Sequence, residues 1–241
     1  MFGEIKNSYG ERIDHTFHQG DANSKNLVLL GHGVTGNKDR PFIVTLANAL
    51  AAAGLNTLRI SFAGNGASGG KFTDATISKE VADLGSVLDA CAGWNVCYLG
   101  HSMGGAVGVL RASQDTRIRL LVSLAGMVRT AAFAQREFGM VKPDAGFMWD
   151  DETCPLSQAY MDDLTQIDTV LDAAPKIKVP WLLVHGTEDD VVPLQDSKDI
   201  LIRAGHDVKF VALQGSNHVF AGEHTAPMVA TVVGWVKARL A

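Results

Sequence analysis

Gly100-His101-Ser102-Met103-Gly104 follows directly on the apolar run Val96-Cys97-Tyr98-Leu99. A serine hydroxyl is a poor nucleophile, so a protein that uses one holds it clear of its own backbone and beside a base. Glycines on both sides let a buried strand end in a sharp turn that lifts the serine into the open. A Cβ at either flanking position would leave no room for that strained strand-to-helix passage. Beyond it, Gly105-Ala106-Val107-Gly108-Val109-Leu110 is small and apolar, as a helix packed closely on a sheet requires. Ser102 is the candidate nucleophile.

Such a serine needs a base to take its proton, an acid to fix the base, and donors for the developing oxyanion. Behind a G-x-S-x-G turn the acid comes next in the chain and the histidine last. The candidate acid is Asp189, in the turn His185-Gly186-Thr187-Glu188-Asp189-Asp190 that follows the apolar run Trp181–Val184. Glu188 and Asp190 flank it, and successive turn residues point different ways, so one of the three is expected to face the base. The candidate base is His218, in the short loop Gln214-Gly215-Ser216-Asn217-His218 after the last expected strand. The chain has eight histidines, and position separates them. His15 and His18 fall on an opening hairpin, and His206 starts the last strand at its far end. His32, His101 and His185 sit inside other motif turns, where structural hydrogen bonding is the expected role. His224, near the final helix, is the runner-up.

The expected oxyanion donors are two backbone N–H groups. One belongs to Met103, the residue after the nucleophile. The other belongs to Val34, in Gly31-His32-Gly33-Val34-Thr35-Gly36-Asn37-Lys38, whose glycines admit a reacting carbonyl. This loop lacks the G-x-x-x-x-G-K-[ST] spacing of a nucleotide-binding turn. The acidic turn alone offers too few ligands for a metal. Neither a metal nor an organic cofactor is expected.

The elements that must position these groups alternate. Ile5 to Phe17 reads as an antiparallel hairpin turning at Asn7-Ser8-Tyr9-Gly10. Strands are expected at Asn26–Leu30, Leu55–Phe62, Val96–Leu99, Ile118–Leu124, Trp181–Val184 and Val208–Leu213. Helices are expected near Asp39–Ala53, Ile77–Ala92, after Ser102, near Leu194–Ala204 and from Thr225. Short apolar strands alternating with helices mean an α/β fold, a mostly parallel sheet of about eight strands covered on both faces. Ligands of such sheets bind beyond the carboxyl ends of the strands, where every motif above lies.

The rhythm stops between Gly126 and Pro180, far longer than the usual connection of about two to six residues. Met and aromatic residues concentrate there, and a small cap inserted at about 127–179 of a single domain (1–241) is expected. Phe147, Met148 and Trp149 are its candidate pocket residues, and Asp150-Asp151-Glu152 reads as a solvated face.

At 241 residues, with 46% hydrophobic and 20% charged residues and a net charge of −5, the composition is that of an ordinary globular protein. The absence of a basic run argues against nucleic acid as a partner. No secretion signal is legible and no stretch is apolar enough for a membrane span, so a cytoplasmic protein is expected. Cys91, Cys97 and Cys154 form no C-x-x-C pair and read as buried thiols.

With these motifs together, the chain resembles the α/β-hydrolase superfamily over nearly its whole length. Within it, His32-Gly33-x-Thr35-Gly36-Asn37-Lys38, the turn Gly64-x-Gly66-x-Ser68-x-Gly70-Lys71-Phe72 and the cap length resemble small bacterial carboxylesterases of the feruloyl and cinnamoyl esterase type. The resemblance implies Ser102, Asp189 and His218 as a catalytic triad, Val34 and Met103 as oxyanion donors, and a small-molecule ester as substrate. Such esterases often have an aromatic residue at the place of Val34, and Arg and His at those of Ala63 and Asn65; Val34 implies a wider pocket wall. A serine carboxylesterase is the expectation. The alternatives are a monoacylglycerol lipase or a serine peptidase of the same fold, or a non-catalytic receptor for a small ligand.

Overall fold

In a computed structural model, residues 2–205 and 207–240 are described; His206, expected at the start of the last strand, lies outside them. The strands are β1 (Ile5–Lys6), β2 (Arg12–Ile13), β3 (His15–His18), β4 (Asn26–Gly31), β5 (Asn56–Ile60), β6 (Asn95–His101), β7 (Ile118–Leu124), β8 (Trp181–Gly186) and β9 (Val208–Leu213). Among the described residues seven of them form the main sheet, in the order β3-β5-β4-β6-β7-β8-β9. All its neighbours run parallel except β3, which pairs antiparallel with β5. The helices are α1 (Pro41–Ala52), α2 (Ile77–Ala90), α3 (Met103–Ala112), α4 (Thr130–Phe138), α5 (Gln158–Ile167), α6 (Leu194–Arg203) and α7 (Thr225–Leu240).

The sheet falls short of eight strands because the opening hairpin divides. β1 and β2 pair with each other, Ile5 opposite Ile13, and stay outside the main sheet. The Gly-rich turn takes the backbone groups at the break: Gly69 N–H donates to Arg12 O at 2.7 Å, and Asp14 N–H donates to Ser68 Oγ at 2.8 Å. Only after Asp14 can β3 join β5, His15 opposite Ile60.

Alternation within the buried strands divides the core in two, as the two-residue period of a strand requires. Val28 and Leu30 of β4, with Leu99 and Val122, pack on Phe42, Leu46 and Leu50 of α1 and on Met228, Val232 and Val236 of α7. Leu27 and Leu29, with Tyr98 and Leu121, face Leu84 and Leu88 of α2 and Ala106 and Val107 of α3. Phe133 and Phe138 of α4, Tyr160 and Leu164 of α5, and Met148 join this second core, so the segment between β7 and β8 adheres by apolar burial. Among the described residues no helix is long and apolar enough to cross a membrane.

β4 leads through α1 to β5 on one side, while β6 leads through α3 to β7 on the other. The winding reverses between β4 and β6, and the loops leaving their carboxyl ends diverge to open a crevice there. Ser102 follows β6, and the Gly33–Asn37 loop follows β4.

One buried group opposes this packing. Glu80 of α2 is fully buried, and neither of its carboxyl oxygens has a hydrogen-bond partner among the described residues. Burial, then the nearby Asp83 and Asp163, push its carboxyl well above the usual range, so it folds neutral. The unfolded chain ionises this group above about pH 4.5, so its contribution favours folding below that pH and is lost as pH rises. Glu80→Gln is expected to raise Tm at pH 8 by at least about 2–4 °C and to raise it progressively less toward pH 5, checked by thermal melts of both proteins across that range.

Candidate active site

Ser102 sits between β6 and α3 with φ 54° and ψ −119°, a left-handed conformation that costs a non-glycine residue about 1–3 kcal/mol. Three backbone bonds impose it. Ser102 N–H donates to Leu124 O at 2.9 Å, and Ser102 O accepts from Gly105 N–H at 2.8 Å and Met127 N–H at 3.0 Å. A Cβ on Gly100 would strike the Gly104 carbonyl, and one on Gly104 would strike the His32 carbonyl. The loop after β4 comes equally near: a Cβ on Gly33 would lie 2.6 Å from Ser102 Cβ. The spacing of glycines in the motif is thus set by contacts across the turn.

Asp189, at the end of β8, has a fully buried side chain. Its Oδ1 accepts from the N–H groups of Val191 at 2.9 Å and Val192 at 2.8 Å, and its Oδ2 accepts from His218 Nδ1–H at 2.8 Å. Burial alone would raise this carboxyl, but hydrogen bonds from His185 and His218 and the charge of His218 outweigh it and hold the group far below the carboxylate range. Glu188 and Asp190 are exposed. Asp189 is therefore the member of the acidic turn that meets His218. With Nδ1–H on the carboxylate, Nε2 of His218 is left as the acceptor.

His218 and Ser102 line the same cavity of about 290 Å³. Among the described residues the Ser102 hydroxyl has no hydrogen-bond partner, nor has the N–H of Val34 or Met103. Val34 lines the cavity, and Met103 is the first residue of α3, where helical N–H groups have no intrahelical acceptor. The runner-up His224 packs beside Gly215 instead.

The motif histidines hold loops, as expected of them. His101 Nε2–H donates to His218 O at 3.0 Å, tying the base loop to the serine turn. His32 donates from Nδ1 to Gly33 O at 2.9 Å and accepts at Nε2 from Phe62 N–H at 3.0 Å. His185 Nε2 lies 2.9 Å from Val192 O and 3.1 Å from Asp189 Oδ2, both acceptors, so it carries the proton. Its Nδ1 meets Ser197 Oγ of α6 at 2.7 Å. Cys97 is buried, which pushes its thiol far up and leaves it inert.

Of the three cap residues expected in the pocket, Trp149 lines the cavity. Met148 is buried in the second core instead, and Phe147, bridged to Pro155, is 39% exposed outside the cavity. The cause is the backbone: Trp149 has φ 50°, a reversal that turns its ring away from its neighbour's direction, and Trp149 Nε1–H donates to Glu137 Oε2 at 3.1 Å. Residues not singled out from the sequence also contribute: Arg40, Phe42 and Ile43 at the start of α1, and Val191 and Val219. Adjacency to Asp189 and His218 is a signal for the last two. The first three follow from the oxyanion loop running straight into a helix.

Burial, followed for His101 by the charge of His218, pushes His101 down to about 3, and burial pushes His32 down to about 4. Both fold neutral while the unfolded chain protonates them below about 6.5, so stability is full above that pH and falls toward the folded values. The expected slope is about 1.4 kcal/mol per pH unit for each ring between pH 6 and 4. Urea titrations of the wild type and of His101→Gln check it; the variant should lose about 1.4 kcal/mol per pH unit of the wild-type slope.

Est1E of Butyrivibrio proteoclasticus, solved with ferulic acid bound, is 25% identical and superposes with a TM-score of 0.87 over 98% of both chains. A Pyrococcus furiosus esterase superposes at 0.76 with 20% identity, over 99% of this chain and 90% of its own. These are α/β-hydrolase folds, as the motifs imply. An uncharacterized protein of Mycobacterium tuberculosis is 26% identical over 197 residues, which cover 79% of this chain; the chain spans only 62% of that curated relative. The family model of the prolyl oligopeptidase family matches residues 45–241. That match takes in most of the sequence, and the chain belongs to the prolyl oligopeptidase family.

Proposed function

We propose that this chain is a serine carboxylesterase with Ser102, His218 and Asp189 as its catalytic triad. The observation that carries the reading is the 2.8 Å bond from His218 Nδ1–H to the buried Asp189, beside a cavity that also exposes the strained Ser102. His218 Nε2 takes the proton from Ser102 Oγ as that oxygen attacks the ester carbonyl. The tetrahedral oxyanion rests on the N–H groups of Val34 and Met103, and the alcohol leaves with the proton from Nε2. Water, deprotonated by the same nitrogen, then attacks the acyl-enzyme, releases the acid and restores Ser102. Asp189 keeps the imidazole in the tautomer this cycle needs and stabilises its charge.

Aromatic acids of the cinnamoyl type are the proposed acyl groups. The likeness to Est1E and the apolar wall of Val34, Phe42 and Trp149 support this. The family match favours a second reading, a peptidase. Parallel assays of a 4-nitrophenyl acyl ester and an aminoacyl 4-nitroanilide separate the two, with the ester as the expected substrate.

Ser102→Ala is expected to lower kcat on the ester by about 10⁶-fold; activity surviving it would exclude this nucleophile. His185 acts through Asp189 as a positioning residue. His185→Gln is expected to lower kcat by about tenfold or more with KM little changed, and to shift the acid limb of the pH–rate profile. An unshifted profile would leave His185 a purely structural role.

A further inference from the structure

The cavity in front of Ser102 is mostly apolar, yet one arginine lines it: Arg40, the residue before α1. Arg40 Nη2 donates to Thr35 O at 2.9 Å, one residue beyond the Val34 amide. The adjoining carboxylate does not neutralise it: Asp39 is engaged by Lys38 Nζ at 2.8 Å and Arg59 Nη1 at 2.7 Å. Among the described residues Arg40 forms no ion pair.

The charge of Arg40 reaches both walls of the crevice. On the floor it adds to the burial that pushes His32 and His101 down. On the cap, Asp151 is held down first by hydrogen bonds from Thr153 and also by Arg40. That carboxylate is already occupied, by Thr153 N–H at 2.9 Å and Thr153 Oγ1–H at 2.6 Å. A guanidinium with one N–H tied to a carbonyl and the rest free offers a fork that matches a carboxylate.

We infer that Arg40 recognises a carboxylate on the substrate, so that the cavity favours esters bearing one near the scissile bond over neutral esters of equal length. This rests on the proposed esterase reading and adds a substrate class and a specificity-determining residue to it. Arg40 takes no part in bond making. With a net charge of −5 the protein repels anions at long range, so the contact is short-range and acts on KM.

The test compares matched pairs of esters on the wild type, Arg40→Gln and Arg40→Lys. In one pair the carboxylate is on the acyl side: mono-4-nitrophenyl glutarate against 4-nitrophenyl valerate. In the other it is on the alcohol side: 4-acetoxybenzoate against 4-acetoxyacetophenone. For at least one pair, the anionic-to-neutral ratio of kcat/KM is expected to fall about fivefold in Arg40→Gln through KM, with partial recovery in Arg40→Lys. In the wild type the same ratio is expected to fall as salt is raised, a measurement that needs no variant. Neutral esters cleaved with both ratios indifferent to Arg40→Gln and to salt would overturn this inference alone. Cleavage of none of the four esters would overturn the esterase reading and this inference with it.

Discussion

A buried carboxylate is tolerable only when its oxygens are filled by donors, and Asp189 organises the crevice around that requirement. Four donors converge on it: two backbone N–H groups from its own turn, His218 Nδ1 and His185 Nε2. Each draws a different element into place. The turn after β8 closes on itself, the loop after β9 delivers His218, and His185 extends the network to Ser197 of α6. Removing any one donor leaves negative charge in a dry site, so the geometry is held by the cost of disturbing it.

The serine turn is a second point of tension, and it is stabilised from outside. Its positive φ is imposed by hydrogen bonds from β7 and from the segment leaving β7. His101 then links the turn back to the His218 backbone. The strained serine and the base loop are therefore parts of one connected structure. The sheet supplies the rigidity, because β4, β6, β7 and β8 are buried along their length and reverse their winding where the two loops separate. The Ser102 hydroxyl at that reversal has space in front of it and packed backbone behind, the arrangement on which nucleophilic use would depend.

The cap gives that space its character. It adheres through Phe133, Phe138, Met148 and Tyr160, and Trp149 faces the cavity. The opposite wall comes from the start of α1. An apolar cleft with one cation at its side discriminates by shape through Trp149 and Phe42 and, in the inference above, by charge through Arg40.

Local patterns carried the serine turn, the acidic turn, the loop of His218 and the alternation of strands and helices, because glycine spacing and apolar runs act on neighbouring residues. The same patterns were silent where distant segments compete for one partner. Glu188 and Asp190 flank the candidate acid Asp189, and the approach of the loop after β9 is what sets the three apart in space. Phe147, Met148 and Trp149 are alike in hydrophobicity, yet Met148 is buried, Phe147 lies outside the cavity and Trp149, at a positive φ, lines it. The opening hairpin reads as continuous until Ser68 and Gly69 take up its backbone groups. The sequence by itself determined which residues are candidates for chemistry and which elements carry them. Tertiary structure alone decided which side chains face the cleft and which charge lacks a partner, since both depend on contacts between residues far apart in the chain.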